Sequence, residues 1–243
     1  MKRIVDIAIS FFGLIIFLPI LLPVIFMVWL QDKHSPFYIA KRVGKDHIPF
    51  NMVKLRSMII NAEQTGVDST GSDDERITSI GRFIRKYKLD ELTQLWNVLK
   101  GDMSLVGPRP NVVIETELYT DAEKILLTVR PGITDIASIV FSDEGDILSE
   151  KEDPDIAYNQ LIRPGKNKLG LFYVDKQNIF LDIAIIWLTV LAIFSKATAL
   201  KSLESLLFKI GASKELIEIA SRRNPLMPSP PPGSDDIVVT RER

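Results

Sequence analysis

Two adjacent carboxylates and an arginine held between prolines are the residues of this chain best suited to chemistry. Asp90 and Glu91 open a stretch with helical spacing, and Arg109 follows that stretch between Pro108 and Pro110. The prolines fix their own φ angles and restrict the residue before each, so the arginine lies on a stiff, extended backbone. A guanidinium held in this way suits bidentate contact with a phosphate. The segment therefore has the charges that a reaction on a phosphate ester requires.

A carboxylate that attacks a phosphodiester anion is repelled by it, and this repulsion must be neutralised. A divalent cation and positive side chains supply the neutralising charge. Neighbouring helical residues point about 100° apart, so one of Asp90 and Glu91 can attack while the other binds a metal. Mg²⁺ is the ion that suits carboxylate oxygens and substrate phosphates. Lys54 and Arg85 are further cations that could serve such a site.

The same residues also have an ordinary structural interpretation. Asp90 can be a helix N-cap, and Glu91 a first-turn acid that the helix dipole stabilises. Lysine and arginine side chains are usually solvated, so the nearby cations need not converge. Both interpretations are open at this point.

Composition narrows the classes of function. The chain has 243 residues, which suits one domain with attachments. Its net charge of −1 gives no global field that favours nucleic acid. With no cysteine and two histidines, disulfides, thiolate nucleophiles and cysteine or histidine-rich zinc sites are excluded. The chemistry must rest on carboxylates, lysines and arginines.

Residues 4–30 are almost wholly apolar and long enough to enter a lipid bilayer. Pro19 and Pro23 lie in the middle of this segment, where each removes a helical hydrogen bond and favours a kink. Basic residues flank both ends, and the positive-inside rule places such flanks on the cytoplasmic side. Two structures satisfy these observations: a re-entrant hairpin, and a straight signal anchor with a proline kink.

Four segments are predicted along the chain. Residues 1–32 form the membrane helix, 33–200 the catalytic domain with interfacial helices, 201–224 an amphipathic helical extension and 225–243 a disordered proline-rich tail. The helix that follows Asp90 is expected to stop at Gly101. A second apolar run at 179–194 is rather short to span and is expected to lie on the membrane or in the core. Gly211 is expected to break the helical extension.

Four stretches resemble the bacterial sugar transferases known as small monotopic phosphoglycosyl transferases. They are Lys2, Arg3 and Asp6, then FNMVKLRSM at 50–58, RKYKLDELTQLWNVLKGDMSLVGPRP at 85–110 and VRPGIT at 129–134. The likeness resumes around 173–182, so it covers roughly residues 1–195. The long central motif is highly specific.

This resemblance implies an enzyme that moves a phosphosugar from a nucleotide diphosphate sugar, expected to be a UDP-sugar, to polyprenol phosphate with release of a nucleoside monophosphate. By position, Asp90 resembles the family's nucleophile, which forms a covalent aspartyl phosphosugar, and Glu91 resembles its Mg²⁺ ligand. Lys54, Arg85, Arg109 and the flanking prolines match positions that bind substrate. The reaction would be the first membrane step of glycan or glycoconjugate assembly.

The resemblance also implies a fold and a location. The fold class is α/β and mostly helical, with an N-terminal re-entrant membrane helix broken at Pro19. The catalytic domain is expected on the cytoplasmic face of the bacterial inner membrane, in contact with the bilayer and without nucleic acid. A homodimer is left open.

Several positions depart from the family pattern. Leu18 replaces a usual serine before the membrane proline, and Ala40, Thr93, Asp135 and Ser138 replace a glutamine, proline, glycine and glutamine. The attacking pair and basic positions are intact, so the departures put substrate preference in doubt rather than reaction type. Two alternatives follow: a catalytically inactive membrane scaffold of the same fold, and a signal-anchored regulatory protein.

Overall fold

The computed structural model describes residues 1–62, 74–149 and 151–240. Helices dominate this part of the chain, as the predicted fold class requires, and the strands are short. The helices are α1 (Lys2–Asp32), α2 (Ser79–Lys86), α3 (Leu89–Leu92), α4 (Leu95–Lys100), α5 (Val113–Glu117), α6 (Asp121–Lys124), α7 (Ile136–Val140), α8 (Glu144–Ser149), α9 (Pro154–Ala157), α10 (Arg163–Lys176), α11 (Ile179–Phe194), α12 (Lys196–Lys209) and α13 (Lys214–Ser221). The strands are β1 (Phe37–Val43), β2 (Pro49–Leu55), β3 (Ser104–Val106) and β4 (Gly132–Thr134).

The strands form two small sheets. In the first, β1 and β2 make an antiparallel hairpin in which Phe37 faces Leu55. In the second, β3 and β4 are parallel, with Ser104 beside Gly132 and Val106 beside Thr134. The carboxyl ends of parallel strands lie at the same edge of a sheet. The segments that follow β3 and β4, which contain Arg109 and Asp135, therefore begin side by side.

The main hydrophobic core includes residues from the whole length of the chain after α1. Helices α7, α10 and α11 contribute fully buried side chains, and so do α12 and α13 through Ala199, Leu203, Leu207 and Ala220. Gly211 separates these last two helices with a φ of 78°, as predicted. Helices α12 and α13 thus pack into the same core as the rest of the domain, although the sequence suggested an extension to it.

Both ends of α1 are bonded to the main domain. Near its start, the Lys2 ammonium donates to Asp182 at 2.6 Å, and the Arg3 guanidinium donates to the carbonyl of Leu99 at 2.9 Å. At its end, Asp32 forms a bidentate ion pair with Arg56, with one contact of 2.7 Å. The two ends of α1 therefore meet one and the same domain.

The middle of α1 also packs on the domain along one face. The buried residues of α1 recur at helical spacing, and those of its second half meet Leu55, Ile84 and Leu89 in a separate hydrophobic cluster. The opposite face exposes large apolar side chains, among them Phe12 and Ile16. The helix is long and apolar enough to cross a membrane.

The helical backbone of α1 continues through Pro19 and Pro23. The structure therefore describes one helix of 31 residues rather than two helices separated at Pro19. A re-entrant course at Pro19 stays a prediction.

The proline-rich segment after Asn224 has neither helix nor strand up to Thr240, where the described residues end. It contacts the domain through the carbonyl of Pro232, which accepts from the Thr120 hydroxyl, and through the carbonyl of Val238, which accepts from the Gln160 amide at 2.6 Å. The last three residues of the predicted tail, 241–243, lie outside the described residues.

Candidate active site

The short helix α3 presents Asp90 and Glu91. Lys88 precedes it in the left-handed region, with a φ of 55°, and Leu89 is its first residue. Leu89 is buried against the second half of α1. Asp90 is therefore inside the first turn and is not the N-cap, which excludes the capping interpretation of this residue. The predicted single helix is divided into α3 and α4, and it ends at Gly101 as expected.

Two side chains join this segment to the outer edge of β2. The Thr93 hydroxyl contacts the carbonyls of both Val53 and Asp90 at 3.0 Å. The buried Asn97 amide donates to the carbonyl of Asn51 at 2.7 Å and accepts from the Val53 N–H at 2.9 Å. Since these contacts satisfy backbone groups that β1 does not reach, they fix β2 beside α3.

Lys54, the residue after Val53 on β2, is thereby placed beside Asp90. The ammonium lies 3.8 Å from Oδ2 of Asp90, which is an ion pair but too long for a hydrogen bond. The Asp90 side chain is 14% exposed. Its Oδ1 is buried and has no hydrogen-bond partner among the described residues. A buried carboxylate oxygen without a donor is uncommon and marks a site where a ligand atom can approach.

Burial perturbs both partners of this ion pair. Burial raises the pKa of Asp90, because the charged form loses its hydration, and the charge of Lys54 opposes that rise. Burial, and then the positive charge of Arg109, lowers the pKa of Lys54 to about 8, although Glu91 and Asp90 act in the opposite direction. Perturbed pKa values of this kind cluster at functional sites.

Glu91 is engaged by Arg109. Its Oε1 accepts from Nη1 of Arg109 at 3.0 Å, and its Oε2 has no hydrogen bond from the described residues. Burial raises the pKa of Glu91, but the charges of Arg109, Lys54 and Lys88 outweigh it and bring the pKa below its usual value. Glu91 also raises the pKa of Arg109. The charged form of Glu91 is therefore stabilised, whereas burial disfavours the charged form of Asp90.

Arg109 is positioned by the close approach of two glycines. The Gly107 N–H donates to the carbonyl of Thr134, and the Gly132 N–H donates to the carbonyl of Pro108, each at 3.0 Å. A Cβ on Gly132 would lie 2.1 Å from the Gly107 nitrogen, and one on Gly107 would lie 2.4 Å from the carbonyl oxygen of Arg130. Both positions thus require glycine for β3 and β4 to come together and direct the segment that contains Arg109.

The other predicted site residues lie at different distances from this centre. Arg85 donates to the Ser57 hydroxyl at 2.9 Å, and its charge interacts with that of Asp90 without a direct bond. Pro108 lines both clefts that border Arg109, and Pro110 lines one of them. Pro19 lies within α1, outside this group of residues. The structure therefore brings Asp90, Glu91, Lys54 and Arg109 together.

Sequence reasoning missed Asn97 and the pair of glycines. Asn97 is 1% exposed. The one signal in the sequence that could have identified it is its position as a polar residue within an apolar helical stripe. Nothing in the sequence indicated that residues near Gly107 and Gly132 pair.

The carboxylates fit a Mg²⁺ ion that is shared with substrate phosphates. Among the described residues, no three His, Asp or Glu side chains converge as a complete metal site. Mg²⁺ often binds one or two carboxylates together with substrate phosphates and waters. Oε2 of Glu91, and Oδ1 of Asp90, which has no hydrogen-bond partner among the described residues, are carboxylate oxygens of the kind that binds Mg²⁺ in this way.

The chain is similar to known bacterial proteins. The family model described as bacterial sugar transferase matches residues 1–196. A UDP-glucose:undecaprenyl-phosphate glucose-1-phosphate transferase from Klebsiella pneumoniae is 36% identical over 202 residues, which are 82% of this chain and 41% of that protein. A UDP-N-acetylgalactosamine-undecaprenyl-phosphate N-acetylgalactosaminephosphotransferase from Aeromonas hydrophila is 32% identical over 197 residues, which are 80% of this chain and 44% of that protein.

A relative of similar length is the uncharacterized sugar transferase EpsL from Bacillus subtilis (strain 168). It is 37% identical over 190 residues, which are 78% of this chain and 85% of that protein. The chain spans less than half the length of the Klebsiella and Aeromonas relatives. Because the family model covers most of the chain and EpsL matches over most of its own length, the chain belongs to the bacterial sugar transferase family.

Proposed function

We propose that the chain transfers a phosphosugar from a UDP-sugar to undecaprenyl phosphate, with Asp90 as the nucleophile. The observation that carries this proposal is the buried Asp90 carboxylate, which has one oxygen paired to Lys54 and the other without a donor among the described residues. The names of the relatives supply the substrate class. The cations beside Asp90 supply the charge that a diphosphate needs.

The first step forms a bond between an Asp90 oxygen and the phosphorus that carries the sugar. The bond from this phosphorus to the bridging oxygen breaks, and UMP leaves with that oxygen and its electron pair. Lys54 and Arg109 neutralise the charge of the phosphoryl oxygens, which would otherwise repel the carboxylate. Because Asp90 is largely buried, little water must be displaced before its oxygen reaches phosphorus.

The second step regenerates the enzyme. A phosphate oxygen of undecaprenyl phosphate attacks the same phosphorus, and the bond to Asp90 breaks to release the carboxylate and undecaprenyl diphosphate sugar. A Mg²⁺ ion held by Glu91 and the substrate phosphates would supply further charge neutralisation. Arg109 orients Glu91 through their 3.0 Å hydrogen bond.

The lipid acceptor requires contact with a bilayer, and two exposed apolar surfaces support that contact. One is the outer face of α1. The other is a stripe along α11 at helical spacing, formed by Phe180, Ile183, Trp187, Val190 and Phe194. Because both ends of α1 are bonded to the main domain, we infer that α1 enters and leaves the same face of the membrane. The domain would then lie on the cytoplasmic side.

The reaction is tested with purified full-length protein in lipid nanodiscs. UMP release is measured with UDP-glucose, UDP-galactose and UDP-N-acetylgalactosamine, with and without undecaprenyl phosphate. We expect one of these donors to give turnover with acceptor, and labelled phosphosugar to remain on the protein without it. Asp90→Asn is expected to abolish both, whereas Asp121→Asn, at an exposed aspartate, keeps wild-type rates. Turnover by Asp90→Asn would reject Asp90 as nucleophile, and no release with any donor would favour an inactive scaffold.

The membrane course of α1 has its own test, since the chain has no native cysteine. One variant has a single cysteine in a short extension before Met1, and the other is Ser35→Cys, just after α1. A membrane-impermeant maleimide is expected to label both from the cytoplasmic side. Labelling from opposite sides would show that α1 spans the bilayer and would overturn the re-entrant course.

A further inference from the structure

A cleft lined mainly by polar side chains borders Arg109. It encloses ≈ 380 Å³ of empty space, part of which is open to solvent. Arg109 and Pro108 form one wall, and α7 and α10 form much of the rest. The polar side chains that line it, besides Arg109, are Asn111, Tyr119, Asp135, Ser138, Tyr158, Lys166 and Asn167.

The position of the cleft follows from the parallel pairing of β3 and β4. Arg109 comes shortly after β3, and Asp135 directly follows β4, so both residues start from the same edge of the sheet. Arg109 is therefore shared: its guanidinium is bonded to Glu91 of the proposed site, and it also lines this cleft. A ligand in the cleft would be continuous with a phosphate held beside Arg109.

Asp135 is the most unusual residue of the cleft. It is 3% exposed. Its Oδ1 accepts from both the N–H and the hydroxyl of Ser138 at 2.6 Å. Its Oδ2 accepts no hydrogen bond from the residues that the structure describes. A carboxylate oxygen has free lone pairs to accept with, so a ligand in the cleft that supplies an O–H or N–H at this point would gain affinity.

The charges of the cleft select against a phosphate and in favour of a neutral ligand. The Lys166 ammonium forms an ion pair with Glu144 and lies 5.1 Å from the centre of the Tyr158 ring. Its charge is thus balanced, while Asp135 contributes a negative charge of its own. A second cleft beside Arg109 differs in being lined mainly by Val43, Leu126, Leu127, Val129 and prolines.

We propose that this polar cleft holds the sugar of the nucleotide sugar, and that Asp135 distinguishes between sugars by accepting a hydrogen bond from a ring hydroxyl or an acetamido N–H. This inference rests on the proposed function. The phosphorus that Asp90 attacks carries the sugar directly, whereas the nucleoside is one phosphate further away. Both clefts border Arg109, but this one is lined mainly by polar side chains, which suit the hydroxyl groups of a sugar.

The test is Asp135→Asn, which preserves the size of the side chain and its ability to cap α7. The values of kcat/KM are measured for UDP-glucose, UDP-galactose and their N-acetylamino counterparts, together with inhibition by UMP. We expect kcat/KM for the preferred sugar to fall about 10- to 100-fold, because a site built to bond a polar group discriminates strongly through it. The ratio of kcat/KM between the preferred and the poorest UDP-sugar should decrease by about tenfold. Inhibition by UMP should be unchanged.

The matched control is Asp153→Asn, which changes the N-cap aspartate of α9 and does not line the cleft. Its selectivity among the four sugars should equal that of the wild type. Thermal melting of both variants separates a folding defect from a change in selectivity. Equal loss for all four sugars would assign Asp135 a structural role, and weaker UMP inhibition with an unchanged sugar ratio would place the nucleoside in the cleft. Either result overturns the inference.

Binding measurements separate this inference from the proposed function. Calorimetry with UDP-sugars is carried out on Asp90→Asn, and on the same protein with Asp135→Asn added, so turnover is not needed. Sugar-dependent affinity that Asp135→Asn weakens about tenfold supports the cleft even if no UMP release is ever detected. Affinity that is the same for UDP and for every UDP-sugar would refute it, whatever the reaction proves to be.

Discussion

Raising the pH through 8 is expected to switch off the first step by removing the proton of Lys54. The side chain of Lys54 is 19% exposed and lies 3.8 Å from Asp90. Burial, and then the charge of Arg109, lowers its pKa to about 8 from the ordinary 10.5. If the ammonium neutralises the incoming diphosphate, only the protonated form of the free enzyme binds it productively.

The size of the effect follows from that pKa. At pH 7 about nine tenths of the free enzyme carries the charge, and at pH 9 about one tenth does. Above pH 8, kcat/KM should therefore fall by about tenfold for each further pH unit, since this parameter reports groups of the free enzyme. In the substrate complex the bound diphosphate favours the charged amine, so the decline of kcat is expected at higher pH.

The assay is the initial rate of UMP release between pH 6.5 and 10, at low and at saturating UDP-sugar and constant ionic strength. In Lys54→Arg the guanidinium stays charged over this range, so its kcat/KM should be lower but free of the decline near pH 8. Lys100→Arg, at an exposed lysine, should retain the wild-type profile. A wild-type profile that stays flat to pH 10, or an unchanged decline in Lys54→Arg, would refute the role given to Lys54.

The same shift changes the free energy of unfolding. Between pH 8 and 10.5 the unfolded state binds the Lys54 proton and the folded state does not, so stability rises with pH in this window. A shift of this size corresponds to about 3 kcal/mol. Chemical denaturation at pH 7.5 and 10.5 should show this gain in the wild type relative to Lys54→Met. Equal pH dependence of the two proteins would contradict it.

Three further substitutions test the supports of the site. Asn97→Leu leaves two backbone groups of β2 without partners and should lower the free energy of unfolding by about 2–4 kcal/mol, measured by urea denaturation. Glu123→Gln breaks the buried ion pair with Arg163 and should cost about 3–5 kcal/mol, whereas Glu117→Gln should cost little. Gly81→Ala would place a Cβ 1.8 Å from the Ser57 carbonyl oxygen. This substitution should displace α2, which contains Arg85, and thereby reduce kcat/KM. A wild-type rate would contradict this expectation.

Local patterns predicted the elements of this chain that are long and periodic. The apolar run at 179–194 became α11 with the same bounds, and Gly101 and Gly211 end helices as their position in the sequence indicates. These predictions succeeded because helical periodicity and glycine conformation are properties of neighbouring residues. The helical segment that begins near the acidic pair was predicted for the same reason.

Pairing between distant segments was not predictable. Strands β3 and β4 have three residues each, too few to show an alternating pattern, yet their contact positions Arg109 and Asp135. The apolar faces of α12 and α13 indicated burial, but not the surface that buries them. The convergence of Lys54 with Asp90 depends on Asn97 and Thr93, whose bonds cross from one element to another.

The bonds of α1 also determine the order in which the newly made chain can assemble. Lys2 is synthesised before its partner Asp182, which follows 180 positions later. During most of translation, the apolar face of α1 that will meet Leu55 and Leu89 has no finished domain to cover it. Docking of the start of α1 onto the domain therefore has to wait until α11, which contains Asp182, has been synthesised.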